Sequence, residues 1–509
     1  MSIFDLHANI LKDYEKYVRS FLTISDDLIR QFVEQKLLEE NTFWPDALLQ
    51  MNPSYKLAAS VSDLADAGVL SRRTAQVFCD RSGSPFQLYQ HQCDAIRLAS
   101  ERKSFIVTSG TGSGKSLTYF IPIFDAILRK ENPPREVCAI VIYPMNALVN
   151  SQYESLKELA EAYQERVGTP LPVRFAKYTG QEQLEAKQQI QSERPHILLT
   201  NFMMLEMILL RPQEAAFVDP ETKGLNFIVL DELHTYRGRQ GADVAMLVRR
   251  LKERCGNPGL LHIGTSATMV ADVAASSMER RQNVADFAAR LFGVDMDKSR
   301  IVEETLVPVA AFGPLPSRQD LCNSLLRPLP KTASDLLSDP LTQWLEAKVG
   351  IEKDSEGNFR RKVPKSLSEI ASELSSDSGV ALEQCKEKLR QVFLLGSRLR
   401  TGDGRPVFAF KLHQFISQGR SVYGTLEKRT ERYLTLDGQY YAPPSDTARS
   451  RVLYPMVFCR LCGQEYYRVK HDRVRGEFVP WPELSFGAES DNEVRGYLML
   501  PPSDCSGSA

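Results

Sequence analysis

The sequence predicts an α/β fold: a mainly parallel sheet with helices on both faces, preceded by a helical N-terminal region and followed by an α+β accessory region. Three observations predict it. From about Phe86 to about Val294, short apolar runs alternate with amphipathic stretches, the texture of βαβ units. A glycine-rich stretch, TSGTGSGKS (Thr108–Ser116), directly follows one apolar run. An acidic turn, DELH (Asp231–His234), directly follows another. In such sheets ligands sit at the C-terminal ends of strands.

Taken in order, residues 1–85 read as helical, with apolar residues at three-to-four spacing over Asp26–Leu38 and Val61–Cys79. Residues 86–300 form the α/β domain. Its expected strands are Phe105–Thr108, Val137–Tyr143, Val173–Tyr178, His196–Thr200, Phe227–Leu230 and Leu260–Gly264. Its expected helices are Ser116–Lys130, Ala147–Arg166, Gln181–Ser192, Phe202–Leu210 and Ala242–Cys255. Residues 301–420 begin with a proline-rich stretch over 308–345 that reads as a linker. Helices over Ser366–Leu374 and Ala381–Arg398 and a strand over Val407–Leu412 follow. That pattern is open to a small winged-helix-like unit or to a plain helical connector. Residues 421–509 read as β-rich and contain the pair Cys459 and Cys462.

Composition bounds the rest. A chain of 509 residues holds about two to four domains. No apolar run approaches the roughly 18 residues that span a bilayer, so no membrane partner is expected. The first residues, MSIFDLHANILKDYEKYVRS, lack a basic flank followed by an apolar stretch and give no secretory signal. Nine scattered cysteines suit a reducing cytoplasm better than a disulfide scaffold. Lys plus Arg (63) nearly balance Asp plus Glu (64), so any basic track is local. The basic residues Arg237, Arg239, Arg249, Arg250 and Lys252 are candidates for phosphate contact or for an ordinary solvated helix face.

The glycine-rich stretch has the pattern of a phosphate loop: Ser109, then Gly110, Thr111, Gly112 and Ser113, then Gly114, Lys115 and Ser116. The glycines let the backbone curl so that its N–H groups point at phosphates. Lys115 would bridge the β- and γ-phosphates and Ser116 would ligate Mg²⁺. Ser109 stands where Gly or Ala is usual. DELH places Asp231 to hold Mg²⁺ and Glu232 to orient the attacking water. His234 is placed to reach Thr265 or Ser266. Gln92 has the donor and acceptor that suit an adenine edge, with Tyr89 or Phe86 to stack on the base. The cofactors implied are ATP and Mg²⁺. Cys459 and Cys462 have the spacing of half a zinc site, but only His471 and Cys505 lie near, so a complete zinc site is not favoured.

In this order, FQLYQHQ (Phe86–Gln92), TSGTGSGKS, YPMNALVNSQ (Tyr143–Gln152), DELH and TSAT (Thr265–Thr268) resemble the motifs of superfamily 2 helicases of the DEAD/DEAH-box type. The resemblance covers roughly residues 86–294 and implies the first of two RecA-like P-loop motor domains. It implies nucleic-acid contacts near Pro144, Asn146, Gln152, Thr179, Gly180, Thr200 and Asn201. It implies a coupling element at Ser266, Ala267 and Thr268. HTYRGRQGADVAMLVRRLKERCG after DELH, FAARLFGV and FCRLCGQEYY are similar to a group of large bacterial helicases linked to DNA repair or anti-phage defence, which favours DNA as the partner. The family's second domain carries an arginine motif resembling QRxGRxGR, and none is found downstream of residue 300. Such an arginine contributes roughly 10³–10⁵ in rate. The resemblance therefore implies a second RecA-like domain, in cis beyond residue 509 or in trans, and this chain as the N-terminal portion of a longer helicase. A non-catalytic ATP- and nucleic-acid-binding subunit is the alternative.

Overall fold

The computed structural model describes residues 2–500 apart from 22, 37–43, 111, 215–216, 219–223, 268–276, 311, 355, 403, 417–420, 445–449, 475 and 482–492. The chain divides into two compact units. One comprises Pro53–Val309 with Ile351–Arg361; the other comprises Met1–Asn52, Ala310–Gly350 and Lys362–Ala509.

The first unit is built on a seven-stranded sheet. Its strands are β1 (Phe105–Thr108), β2 (Ala139–Tyr143), β3 (Phe175–Lys177), β4 (Ile197–Asn201), β5 (Phe227–Leu230), β6 (Leu261–Ser266) and β7 (Ile301–Glu303). The order across the sheet is β7-β1-β6-β5-β2-β4-β3, and every neighbouring pair is parallel. The helices are α1 (Gln90–Ser100), α2 (Leu117–Leu128), α3 (Asn146–Val167), α4 (Leu184–Glu193), α5 (Phe202–Leu210), α6 (Gly238–Cys255) and α7 (Ser277–Phe292).

Strand side chains alternate between two cores, as a pleat of period two requires. Phe105, Val107, Val141, Leu199, Val229 and Ile263 pack with α1, α2 and α3. Ile106, Ile140, Leu198, Ile228 and Leu230 pack with α5, α6 and α7. This is why β1, β2, β4 and β5 are largely apolar runs: both faces are covered. The expected strands all form, with ends within two residues of those read from the sequence. β7 was not expected. At three residues it leaves too short an apolar run, and only its pairing to β1 defines it.

Residues 53–85 of the region read as helical begin with strands at Ser54–Tyr55 and Leu57–Ser60, followed by short helices at Val61–Asp66 and Arg72–Val77. In the second unit, helices Ile3–Phe21 and Asp27–Glu34 are followed by a strand at Leu48–Asn52. Asp26 caps the second of these helices by accepting the N–H groups of Leu28 and Ile29. The proline-rich stretch expected as a linker holds three short helices, Arg318–Leu326, Ala333–Leu337 and Pro340–Leu345, with Trp344 fully buried. Each is capped by a side chain, from Ser317, Thr332 and Asp339, and Pro340 occupies a first-turn position where its missing N–H costs nothing. Helices Leu367–Ser378 and Leu382–Arg398 pack together, and the strand after them, Ala409–His413, pairs with Leu48–Asn52. Residues 423–498 supply an antiparallel sheet.

Ile140 lies on the interior strand β2 and is fully buried. Replacing it with Ala should cost about 2–5 kcal/mol by loss of transfer energy and cavity formation. Urea denaturation followed by circular dichroism checks this; a loss under about 1 kcal/mol would contradict the placement of Ile140 in a packed core.

Candidate functional site

All strands of a parallel sheet point one way, so their C-terminal ends open on one rim. The phosphate loop leaves β1, the Pro144–Asn146 segment leaves β2, Tyr178–Gly180 leaves β3, DELH leaves β5 and Ala267 leaves β6. The sequence spread these segments over more than a hundred residues, and the topology gathers them.

The loop after β1 is held from both sides. Ser109 N–H donates to the Ser266 carbonyl at 3.1 Å, and the Ser109 and Ser113 hydroxyls are 2.6 Å apart. Gly112 (φ +81°) and Gly114 (φ +69°) take left-handed conformations that side chains resist. Lys115 Nζ lies 3.3 Å from the Ser109 carbonyl and 3.5 Å from Glu232. Ser116 immediately precedes α2, whose N-terminal end faces the loop. Thr111 lies outside the described residues.

Gln92 does not present a free amide for an adenine edge. It is buried; its carbonyl accepts the Tyr89 N–H at 2.8 Å, and its NH₂ group donates to the carbonyls of Gly114 (2.9 Å) and Ser113 (3.3 Å). A Cβ at Gly114 would meet that amide at 2.6 Å. In this geometry Gln92 braces the loop. His91 shares the task, 3.1 Å from the Ser113 carbonyl. Tyr89 stacks on His91 at 5.8 Å, and Tyr55, which the sequence did not single out, lies 5.0 Å from Tyr89. Phe86 packs into the core beneath.

The acidic pair is built on strain and burial. Glu232 is one of three non-glycine residues among those described with positive φ (+52°), which turns the chain sharply after β5. Asp231 is buried and accepts the Thr265 hydroxyl. Burial raises its pKa to about 6, with the Glu232 carboxylate adding to the rise and the Thr265 hydrogen bond and Lys115 opposing it. The Glu232 N–H lies 3.3 Å from Thr265 Oγ1. His234 Nδ1 is 3.2 Å from the Ser266 hydroxyl, so it reaches the residue expected. It also lies 3.3 Å from Glu232 Oε2, yet among the described residues that buried oxygen has no hydrogen-bond donor. The residues thus fit a magnesium-bound triphosphate and a water: an ammonium, a hydroxyl, one acidic oxygen pair, and an acceptor left open. Thr268 lies outside the described residues.

On the far side of the rim, Asn201 Nδ2 donates to Asn146 Oδ1 at 2.6 Å, and Asn201 Oδ1 caps α5 through Met204 N–H at 2.8 Å. Pro144, Asn146, Gln152 and Asn201 are half-buried and Gly180 is exposed. Thr179 and Thr200 are buried. The Thr179 hydroxyl donates to Glu182 at 2.8 Å and the Thr200 hydroxyl to the Tyr178 carbonyl at 2.7 Å. Their side chains shape the rim; they do not offer it surface. Of the basic candidates, Arg249 donates to the Arg290 carbonyl at 2.8 Å and Lys252 to that of Gly293 at 2.8 Å. Both close the C-terminal end of α7, where carbonyls favour cations.

Cys459 and Cys462 lie in a turn in which Gly463 N–H donates to the Cys459 carbonyl at 2.9 Å. Among the described residues no three His, Cys, Asp or Glu side chains gather as metal ligands. Cys505 lies outside the described residues. No helix among the described residues is long and apolar enough to cross a membrane.

A parallel sheet with this strand order, whose phosphate loop and acidic turn leave strands separated by one neighbour, is a RecA-like P-loop fold. Residues 89–276 match the model of the DEAD/DEAH box helicase family. The chain is 25% identical to Druantia protein DruE of Escherichia coli (strain UMEA 4076-1) over 413 residues, 60% of this chain and 22% of DruE. It is 32% identical to the uncharacterized ATP-dependent helicase YprA of Bacillus subtilis (strain 168) over 185 residues, 36% of this chain and 23% of YprA. Among solved structures it is similar to DUF1998 helicase MrfA bound to DNA and AMPPNP, at 21% identity and a TM-score of 0.41, covering 68% of this chain and 43% of that one. The chain thus spans less than a quarter of the length of these two curated relatives.

The raised pKa of Asp231 has a consequence for stability. The folded state holds its proton up to about pH 6, whereas the unfolded state releases it near 3.8, so ionisation of Asp231 destabilises the fold as pH rises through that window. Asp231→Asn should therefore gain stability relative to the native chain between pH 4 and pH 7, by an amount on the order of 2–3 kcal/mol. Urea denaturation at both pH values checks this, and an unchanged difference would show that Asp231 titrates normally.

Proposed function

We propose that this chain is the first motor domain of an ATP-dependent nucleic-acid helicase or translocase, and that it binds Mg-ATP and the nucleic-acid backbone on one rim. The observation that carries this is the shared strand end at Thr265–Ser266. Ser266 touches the phosphate loop and His234, and Thr265 touches Asp231. A nucleotide change at β1 and β5 therefore reaches the segments that follow β2 and β4 through rigid neighbouring strands. A metabolic kinase has no need of such a link.

In this reading Lys115 and Ser116 hold the triphosphate and its magnesium together with Asp231. Glu232, with an open acceptor oxygen, orients the attacking water. Asn201 holds the Asn146 carbonyl oxygen and so leaves the Asn146 NH₂ as a hydrogen-bond donor for phosphates, on the same rim as Pro144, Gln152 and Gly180. DNA is favoured over RNA by the resemblance of the segment after DELH to large bacterial DNA-linked helicases. A second RecA-like domain, in cis or in trans, supplies the arginine that completes the transition state. The intact Lys115, Asp231 and Glu232 constellation speaks against a non-catalytic subunit. A cytoplasmic setting is part of the proposal, supported by eight free cysteines among the described residues.

Lys115→Ala should abolish ATP binding by the 509-residue chain. Glu232→Gln should retain binding and lose at least about a hundredfold in turnover. Titration with a fluorescent ATP analogue and a phosphate-release assay with and without single-stranded DNA read the two effects separately. Undiminished hydrolysis by Glu232→Gln would remove Glu232 from its assigned role.

A further inference from the structure

A hairpin from beyond the α/β domain reaches the phosphate loop. Residues Ile351–Lys353 pair antiparallel with Phe359–Arg361. The connection is a tight turn that Asp354 organises by accepting the N–H groups of Glu356 and Asn358, each at 2.9 Å, with Gly357 at φ +83°. Its last residue, Arg361, is mostly buried.

Arg361 forms a two-point ion pair with Glu304: Nε to Oε1 at 2.8 Å and Nη2 to Oε2 at 3.0 Å. It also donates to the Tyr55 hydroxyl and lies over the Tyr55 ring at 5.5 Å. Glu304 follows β7, and its N–H donates to the Thr108 carbonyl at 3.2 Å, at the very end of β1. Its Oε2 also accepts the N–H of Gly110 at 2.7 Å. Gly110 is the second residue of the phosphate loop, and a Cβ there would meet the guanidinium at 2.6 Å. A carboxylate is thus bonded into a loop whose task is to hold anions.

An unpaired carboxylate at that place would repel the nucleotide phosphates at short range in a partly dry site. The guanidinium removes that charge and fixes the carboxylate in the geometry that ties down Gly110. We propose that Arg361 is a positioning residue of the nucleotide site, which acts through Glu304 on the first turn of the phosphate loop and makes that carboxylate compatible with bound phosphates. The inference rests on the nucleotide-binding reading given above.

The test is a double-mutant cycle on the full chain, with Mg-ATP-analogue titration as readout. Arg361→Gln should weaken binding roughly tenfold or more, the scale of one charge-assisted hydrogen bond. The loss should shrink as ionic strength rises, because repulsion between charges is screened. Arg361→Lys should recover part of it. Arg361→Gln with Glu304→Gln should recover binding to within about threefold of the native chain, since the offending charge is gone. Thermal melts of each variant separate loss of fold from loss of binding. Unaltered binding in Arg361→Gln, or a double variant as weak as the single one, overturns the proposal. If binding by the native chain does not depend on Lys115, the nucleotide reading fails and this inference with it. If binding depends on Lys115 but is indifferent to Arg361, this inference alone fails.

Discussion

Strand β6 runs between β1 and β5, and its last two residues bond to what leaves both neighbours. Ser266 receives the N–H of Ser109 and meets His234, while Thr265 serves Asp231 and Glu232. The phosphate loop and the acidic turn never share a strand pairing; this strand end bonds to the backbone or side chains of both. A parallel ladder sets the heights of its strand ends to within a fraction of a residue, so the loops that follow inherit that precision. The rest of the site depends on this constraint.

Charge balance follows from it. A carboxylate buried at the end of a strand is unfavourable when ionised; burial raises the pKa of Asp231 and the neighbouring Glu232 carboxylate adds to the rise. Lys115 answers from across the rim at 3.5 Å from Glu232. Glu304 and Arg361 repeat the logic on the opposite shoulder of the loop, with a carboxylate bonded to Gly110 and a guanidinium beside it. The loop is flanked by two opposite-charge pairs.

Much of this was legible in one sequence. Strands β1, β2, β4 and β5 announce themselves because burial on both faces demands largely apolar runs rich in Val, Ile and Leu. The loop glycines and DELH announce themselves because phosphate and metal chemistry tolerate few substitutes. His234 was assigned a partner that it has. Other side chains have partners that the sequence did not show. Gln92 looked like an adenine reader because an amide can pair with a base, but the same donors and acceptor pair equally well with Tyr89, Ser113 and Gly114. The family resemblance implied nucleic-acid contacts near Thr179 and Thr200, and the structure turns their hydroxyls inward to Glu182 and Tyr178. The proline-rich stretch looked like a linker because proline breaks long helices, yet short capped helices accommodate it.

The sequence by itself determined the fold class, the phosphate loop, the acidic pair and their order, because each is a local pattern enforced by periodicity or by the chemistry of a few adjacent residues. Only the tertiary structure decided which strands are neighbours, that β7 exists, and that Tyr55, Glu304 and Arg361 meet at Gly110. Tyr55 and Arg361 are 306 residues apart, and no periodicity or spacing rule relates them. Their meeting follows from long-range pairing and burial, which one-dimensional patterns do not encode.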